Sequence, residues 1–148
     1  TQLVFVPMLF MLPAGLVLTG GGAQLAGAAV LGRGVLEMPL RVAAPSDIGG
    51  LVDGFLARHA LARSDLQAYI LHPGGQKLLR FIEEELGLCR SLTQPSWDVL
   101  RDFGNLSSAS VLFVLHQWLN QGLRPGDRGL LAGFGPGFSA EMLLLQWT

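Results

Sequence analysis

Gly104-Asn105-Leu106-Ser107-Ser108-Ala109-Ser110 runs straight into the apolar block Val111-Leu112-Phe113-Val114-Leu115. A glycine and an asparagine, then small hydroxyl residues, then a hydrophobic run, describe a loop that brings a polar side chain to the mouth of a buried helix. Ser107 or Ser108 is expected to cap that helix, because a serine oxygen accepts a free backbone N–H of the first turn. The small side chains over 107–110 let another backbone come close. The helix reads over residues 107–120 and is apolar nearly all round, which requires burial. His116 and Trp118 read as packing or surface groups near its end. Asn105 carries two amide donors and an acceptor on a short side chain. Alone, it reads as an ordinary loop asparagine before a core helix.

A second stretch, His72-Pro73-Gly74-Gly75, follows the β-forming run Leu66-Gln67-Ala68-Tyr69-Ile70-Leu71. A histidine at the end of a strand, followed by proline and two glycines, is held at the strand's carboxyl edge, where open α/β sheets place ligands. Helix 76–86 comes next, with Leu78, Leu79, Ile82 and Leu86 as its apolar stripe. Lys77, Arg80 and Glu83-Glu84-Glu85 read as its solvated face. A third stretch reads as a hairpin: a strand over 129–132, the loop Gly133-Phe134-Gly135-Pro136-Gly137, and a final strand over 138–147. The glycine loop resembles a phosphate cradle, but no helix or Lys-Ser/Thr pair follows it, so a P-loop is excluded.

The remaining segments fit around these three. Residues 35–42 alternate loosely as a strand. Ala44-Pro45-Ser46-Asp47 signals the start of a helix carrying Ile48, Leu51, Val52, Phe55 and Leu56 at helical spacing. His59 reads as a capping or solvated group at that helix's end, and Arg63-Ser64-Asp65 as a turn. Residues 95–103 read as a short helix with Pro95 in its first turn and Gly104 as its stop. Cys89, in the turn before it, reads as structural, since only Arg90 stands near to lower its pKa.

The 148 residues suffice for a sizeable core; half are hydrophobic, only 14% are charged, and the net charge is −1. That balance gives no electrostatic case for nucleic acid. The single cysteine excludes an intramolecular disulfide and suits a reducing compartment, here the cytoplasm. No charge appears before Arg33, so residues 1–32 form an apolar leader distinct from the domain at 33–148. Its length would suit a membrane span. Pro7, Pro13 and Gly15 interrupt it, and Gly20-Gly21-Gly22 follows, so buried strands over 3–10, 16–19 and 28–31 are the preferred reading. No basic n-region marks a secretory signal.

Together, the His72, Asn105 and Gly133 stretches resemble the C-terminal half of type III polyketide synthases, the chalcone and stilbene synthase family. The likeness rests on His72-Pro73-Gly74-Gly75, on Gly104-Asn105-Leu106-Ser107-Ser108-Ala109-Ser110 and on Gly133-Phe134-Gly135-Pro136-Gly137, in that order and spacing. It runs from about residue 43 to 147, and Phe138-Ser139-Ala140-Glu141 looks more like bacterial members than plant ones. The resemblance implies an α/β architecture, one half of a thiolase-like fold with a mixed sheet covered by helices. It also implies an acyltransferase that condenses malonyl-CoA units onto an acyl-CoA starter, with CoA thioesters as substrates and no bound cofactor or metal. His72 and Asn105 would be catalytic and would sit with a nucleophilic cysteine; Gly74 and Gly75 would border the passage to CoA. Gly133, Phe134, Gly135, Pro136 and Gly137 would shape the cavity in which the polyketide cyclises.

In that family the nucleophilic cysteine belongs to the N-terminal half, and Cys89 lies between the histidine and asparagine motifs, so chain order excludes it from that role. The resemblance therefore implies a chain inactive alone, whose partner is a separate N-terminal half or a second copy. Two other classes stay open: a non-catalytic thiolase-fold interaction module, and a membrane-associated degenerate homologue anchored by residues 1–32.

Overall fold

The computed structural model describes residues 11–12, 15–16, 35–36, 40–41, 48–135 and 139–148. The expected strands over 3–10 and 28–31 lie outside them, as does most of 16–19. Strands β1 (Met11–Leu12) and β2 (Gly15–Leu16) pair antiparallel with each other. Next come β3 (Val35–Leu36) and β4 (Leu40–Arg41), both within the strand expected over 35–42, whose other residues lie outside those described; both pair antiparallel with the last strand, β7 (Ser139–Gln146). After them stand α1 (Ile48–Arg58), a 3-10 turn (Arg63–Asp65), β5 (Ala68–Leu71), α2 (Gln76–Leu86) and α3 (Arg90–Phe103). A 3-10 turn (Ser107–Ala109), α4 (Ser110–Leu119), β6 (Arg128–Gly135) and β7 (Ser139–Gln146) complete the chain.

The larger sheet runs β3-β7-β6-β5, with β4 also on β7, and is mixed: β5 lies parallel to β6 and the other pairs are antiparallel. All four residues of β5 are buried, as an uninterrupted apolar strand requires when both faces are covered. Alternation sends Tyr69 and Leu71 to one face and Ala68 and Ile70 to the other. Phe55, Leu56, Leu79, Ile82 and Leu130 build the first core, from α1, α2 and the sheet. Val111, Val114, Leu115, Trp118 and Leu145 build the second, beneath α4. Each such side chain, when fully buried, contributes about 1.5–3 kcal/mol.

β5 is the outer strand of this sheet among the described residues, and α3 lies along it, giving Val99 to the second core and Trp97 and Leu100 to the first. This helix corrects the sequence reading, since it begins five residues before Pro95 and runs through it. At the sixth helical position Pro95 lacks the N–H that would bond the Ser91 carbonyl and crowds that carbonyl with its ring, and the buried packing of the helix carries this cost. α2 ends in a Schellman turn: Gly87 is left-handed at φ 64°, and the N–H of Leu88 donates to the Glu83 carbonyl at 2.9 Å.

Candidate functional site

His72 follows the last residue of β5 and extends the pairing by one step, its N–H donating to the Ala132 carbonyl at 2.9 Å. The imidazole therefore leaves the sheet at the carboxyl end of the strand. Pro73 offers no donor, and the Gly74 N–H turns back onto the His72 carbonyl at 2.9 Å. His72 is 9% exposed, and its ring has no hydrogen-bond partner among the described residues. Burial pushes its pKa below the usual histidine value, so the ring stays neutral near pH 7. A neutral imidazole presents one N–H donor and one acceptor nitrogen.

The two glycines play different parts. A side chain at Gly74 would begin 2.9 Å from Leu78 Cδ2, which would have to shift, and 3.4 Å from His72 Cδ2, so glycine lets the leucine and the ring pack close together there. Gly75 is extended, and a side chain on it would meet nothing within 4 Å.

Asn105 enters from the other direction. Gly104, at φ 71°, stops α3 with its N–H on the Leu100 carbonyl, and the chain turns. The Asn105 Oδ1 then accepts the Ser107 N–H at 2.8 Å, while Nδ2 donates to the Gly74 carbonyl at 3.0 Å. Both ends of the carboxamide are thereby fixed, with one of its two N–H donors still free. The expected serine cap is not what forms. Ser107 is left-handed at φ 58°, and neither it nor Ser108 caps a helix. The loop's donors go instead to Asn105, and to Ser110 Oγ, which accepts the Leu106 N–H at 2.7 Å. His72 and Asn105, remote in sequence, thus both close on Gly74: the ring borders the space a Cβ would take there, and the amide sits on its carbonyl.

The glycine hairpin needs a second correction. β6 does not end at Ala132; Gly133 pairs with Glu141, Phe134 with Ala140 and Gly135 with Ser139. Gly133 and Gly135, read as loop residues, belong to the strand because each gains a ladder partner on β7. β6 runs to Gly135 and β7 starts at Ser139; Pro136 and Gly137 lie outside the described residues. Gly133 directly follows Ala132, the acceptor of the His72 N–H, which sets the start of this run beside the histidine. A side chain at Gly133 would meet nothing within 4 Å, whereas Phe134 packs against the first core.

Cys89 packs no core. It is exposed and precedes the first residue of α3, with Sγ 2.9 Å from Ser91 Oγ. The Ser91 hydroxyl and then backbone amides hold its pKa below the usual thiol value. Asn105 follows the opposite end of this 14-residue helix, roughly 20 Å away at 1.5 Å per residue, so Cys89 does not join the group at Gly74. The acidic run holds a surprise as well. Glu83 is not on a solvated face: its carboxylate, 13% exposed, accepts from Thr93 Oγ1, from Trp97 Nε1 at 2.7 Å and from Arg90 Nη2 at 3.2 Å, and forms an ion pair with Arg90 Nε at 3.0 Å. Arg90 lies 3.9 Å over the Trp97 ring. Sequence offers only the helical spacing of Arg90, Thr93 and Trp97 as a hint of this cluster.

His59 stacks edge-on against Phe55 at 5.1 Å, and His116 is exposed. Among the described residues no group of three or more His, Cys, Asp or Glu side chains could hold a metal ion, and no helix is long and apolar enough to cross a membrane.

Comparison with known proteins identifies the family of the fold. The family model of the 3-oxoacyl-[acyl-carrier-protein] synthase III C-terminal domain matches residues 56–147. The 3,5-dihydroxyphenylacetyl-CoA synthase of Amycolatopsis balhimycina is 40% identical over 112 residues, 75% of this chain and 30% of that protein. The 1,3,6,8-tetrahydroxynaphthalene synthase of Streptomyces peucetius subsp. caesius is 44% identical over 101 residues, 68% of this chain and 27% of that protein. The crystal structure of 1,3,6,8-tetrahydroxynaphthalene synthase from Streptomyces coelicolor A3(2), a bacterial type III polyketide synthase, matches with a TM-score of 0.66 at 29% identity. That match covers 78% of this chain and 39% of the other. The chain spans less than a third of the length of these two curated relatives. With its mixed sheet, its helix-covered faces and these relatives, the chain belongs to the thiolase-fold family of 3-oxoacyl-[acyl-carrier-protein] synthase III C-terminal domains, on the side of the type III polyketide synthases.

Proposed function

We propose that this chain supplies the histidine and asparagine of a type III polyketide synthase site, which condenses malonyl-CoA units onto an acyl-CoA starter in the cytoplasm. The observation that carries the reading is the fixed Asn105 carboxamide. Its Oδ1 is held by Ser107 and one N–H by Gly74, leaving a single oriented N–H beside the His72 loop.

The chemistry asks for such groups. When malonyl-CoA loses CO2, the electron pair of the broken C–C bond passes into the thioester as an enolate. The enolate oxygen needs donors already in place, in surroundings poor in water. A neutral imidazole N–H and an amide N–H provide two donors without a fixed counter-charge. The enolate carbon then attacks the acyl thioester held on a cysteine, and that sulfur leaves as a thiolate which His72 stabilises. The thiolate comes from outside these 148 residues, on an N-terminal half or a second chain. No cofactor is required. The space left by Gly75 lies on the approach to CoA, and the run from Gly133 to Gly137 bounds the cyclisation cavity.

The test combines the chain with a cysteine-bearing N-terminal half and follows 14CO2 release from labelled malonyl-CoA. His72→Ala and Asn105→Ala are each expected to lose at least about 100-fold, as removal of one preplaced donor does elsewhere. Decarboxylation unchanged in both variants would sink the assignment.

A further inference from the structure

The outer edge of β5 has no neighbouring strand among the described residues, yet its carbonyls are not bare. Residues 70 and 72 turn their backbone groups toward β6, as the His72 N–H on Ala132 shows, so the carbonyls of Tyr69 and Leu71 point the other way. Trp118 Nε1, from α4, donates to the Tyr69 carbonyl at 3.0 Å. Ser96 Oγ, from the middle of α3, donates to the Leu71 carbonyl at 2.9 Å. Asn105 Nδ2 then donates to the Gly74 carbonyl at 3.0 Å. Side chains of the packed helices and their connecting loop stand where a strand's N–H groups would be.

We infer that Ser96 is a positioning residue of the site. Its hydroxyl ties the last carbonyl before His72 to the helix that ends at Asn105, and so sets the distance between the two side chains. Three features single it out. Ser96 is 0% exposed, so its hydroxyl has no water to fall back on. Leu71 is adjacent to His72, so a shift of its peptide moves the imidazole directly. α3 is itself braced on α2 by Glu83, so the Ser96 bond joins two held elements and fixes the spacing between them. Tyr69, held by Trp118, is three residues from the histidine and provides the matched control.

The functional consequence rests on the synthase reading above; the positional one does not. The experiment therefore has two arms, both on the full chain carrying Ser96→Ala, Ser96→Thr or Trp118→Phe. In the first arm, NMR follows the His72 ring Cε1–H through a pH titration and the Asn105 side-chain amide at fixed pH. Ser96→Ala is expected to shift both signals, Ser96→Thr to restore them by returning the donor, and Trp118→Phe to leave them in place. If Ser96→Ala lowers the melting temperature but leaves the His72 and Asn105 signals where they were, the serine is merely structural and the inference falls. In the second arm, malonyl-CoA decarboxylation is measured with the N-terminal half supplied. Ser96→Ala is expected to lower kcat by between about ten- and a hundredfold, with KM within about twofold and with recovery in Ser96→Thr. A kcat unchanged in Ser96→Ala, while His72→Ala is inactive, overturns the inference alone. If His72→Ala retains full activity, the synthase reading fails, and the NMR arm still decides the role of Ser96.

Discussion

His72 is the buried titratable group on which the site turns, and its burial has a measurable sign. The folded chain disfavours the imidazolium, so it takes up this proton at lower pH than the unfolded chain, whose histidine titrates near 6.5. Between those two values the unfolded state binds more protons. Stability therefore rises with pH across that window, the contribution being complete above about 6.5 and lost as pH falls toward the folded value. The ring's Cε1–H should titrate below about 6.5, and the melting temperature should fall more steeply on acidification in the native chain than in His72→Gln. Equal acid slopes would show that position 72 does not carry this linkage. Gly74 gives a second prediction. Its backbone needs no glycine dihedral, so the cost of a side chain is steric: Gly74→Ala places a methyl 2.9 Å from Leu78 Cδ2. We expect a loss of about 1–3 kcal/mol in urea unfolding, partly recovered by adding Leu78→Ala, because neighbours that clash are coupled. A loss unaffected by the second change would place the strain elsewhere. The pairing of His72 with Asn105 was legible in sequence only through family likeness. The anchors of the carboxamide were not, because Ser107 and Gly74 meet it through backbone atoms that any residue possesses.

The junction of α2 with α3 shows what periodicity conveys and what it omits. Apolar spacing marks Leu78, Leu79, Ile82 and Leu86 as the stripe; the last three are buried, and Leu78 is half-buried against the same core. The same pattern assigned Glu83 to solvent, since one helix read alone cannot reveal that a second helix covers its polar flank. The missed start of α3 has the same root: proline is most often a first-turn residue, and nothing local announces the turn before it. Glu83 accepts from the buried Thr93 hydroxyl and the partly buried Trp97 indole, so Glu83→Ala strands Trp97 Nε1, at a cost of about 1–3 kcal/mol, and leaves Thr93 Oγ1 only its longer bond to the Arg90 carbonyl at 3.2 Å. Glu83→Gln keeps an oxygen for those donors and gives up only the pairing with Arg90, half-exposed and worth about 0–1 kcal/mol. The expected order of urea midpoints is native, then Gln, then Ala. If Gln and Ala were equally destabilised, the ion pair rather than the hydrogen bonds would hold the two helices.

A sheet lined on both faces divides the domain into two cores that share strands but few side chains. That much follows from half the sequence being hydrophobic and from β5 being apolar throughout, with no polar face to give to water. The strand order did not follow, because register is chosen by pairing across distant segments, and a glycine-rich end such as 133–135 carries no side-chain pattern to announce it. If the division is physical, small cavities on opposite faces should not sense each other. Ile82 on α2 belongs to the first core and Ile70 on β5 to the second, both fully buried. Replacing either by valine removes one methylene, at about 0.5–1.5 kcal/mol, mild enough for the double variant to remain folded. Independent cores predict that the double variant loses the sum of the single losses to within about 0.5 kcal/mol. A larger departure would mean that the sheet transmits packing strain between its faces. Changes on the α1–α2 side would then reach α4 and the Asn105 loop through β5, and the geometry at Gly74 would depend on both cores at once.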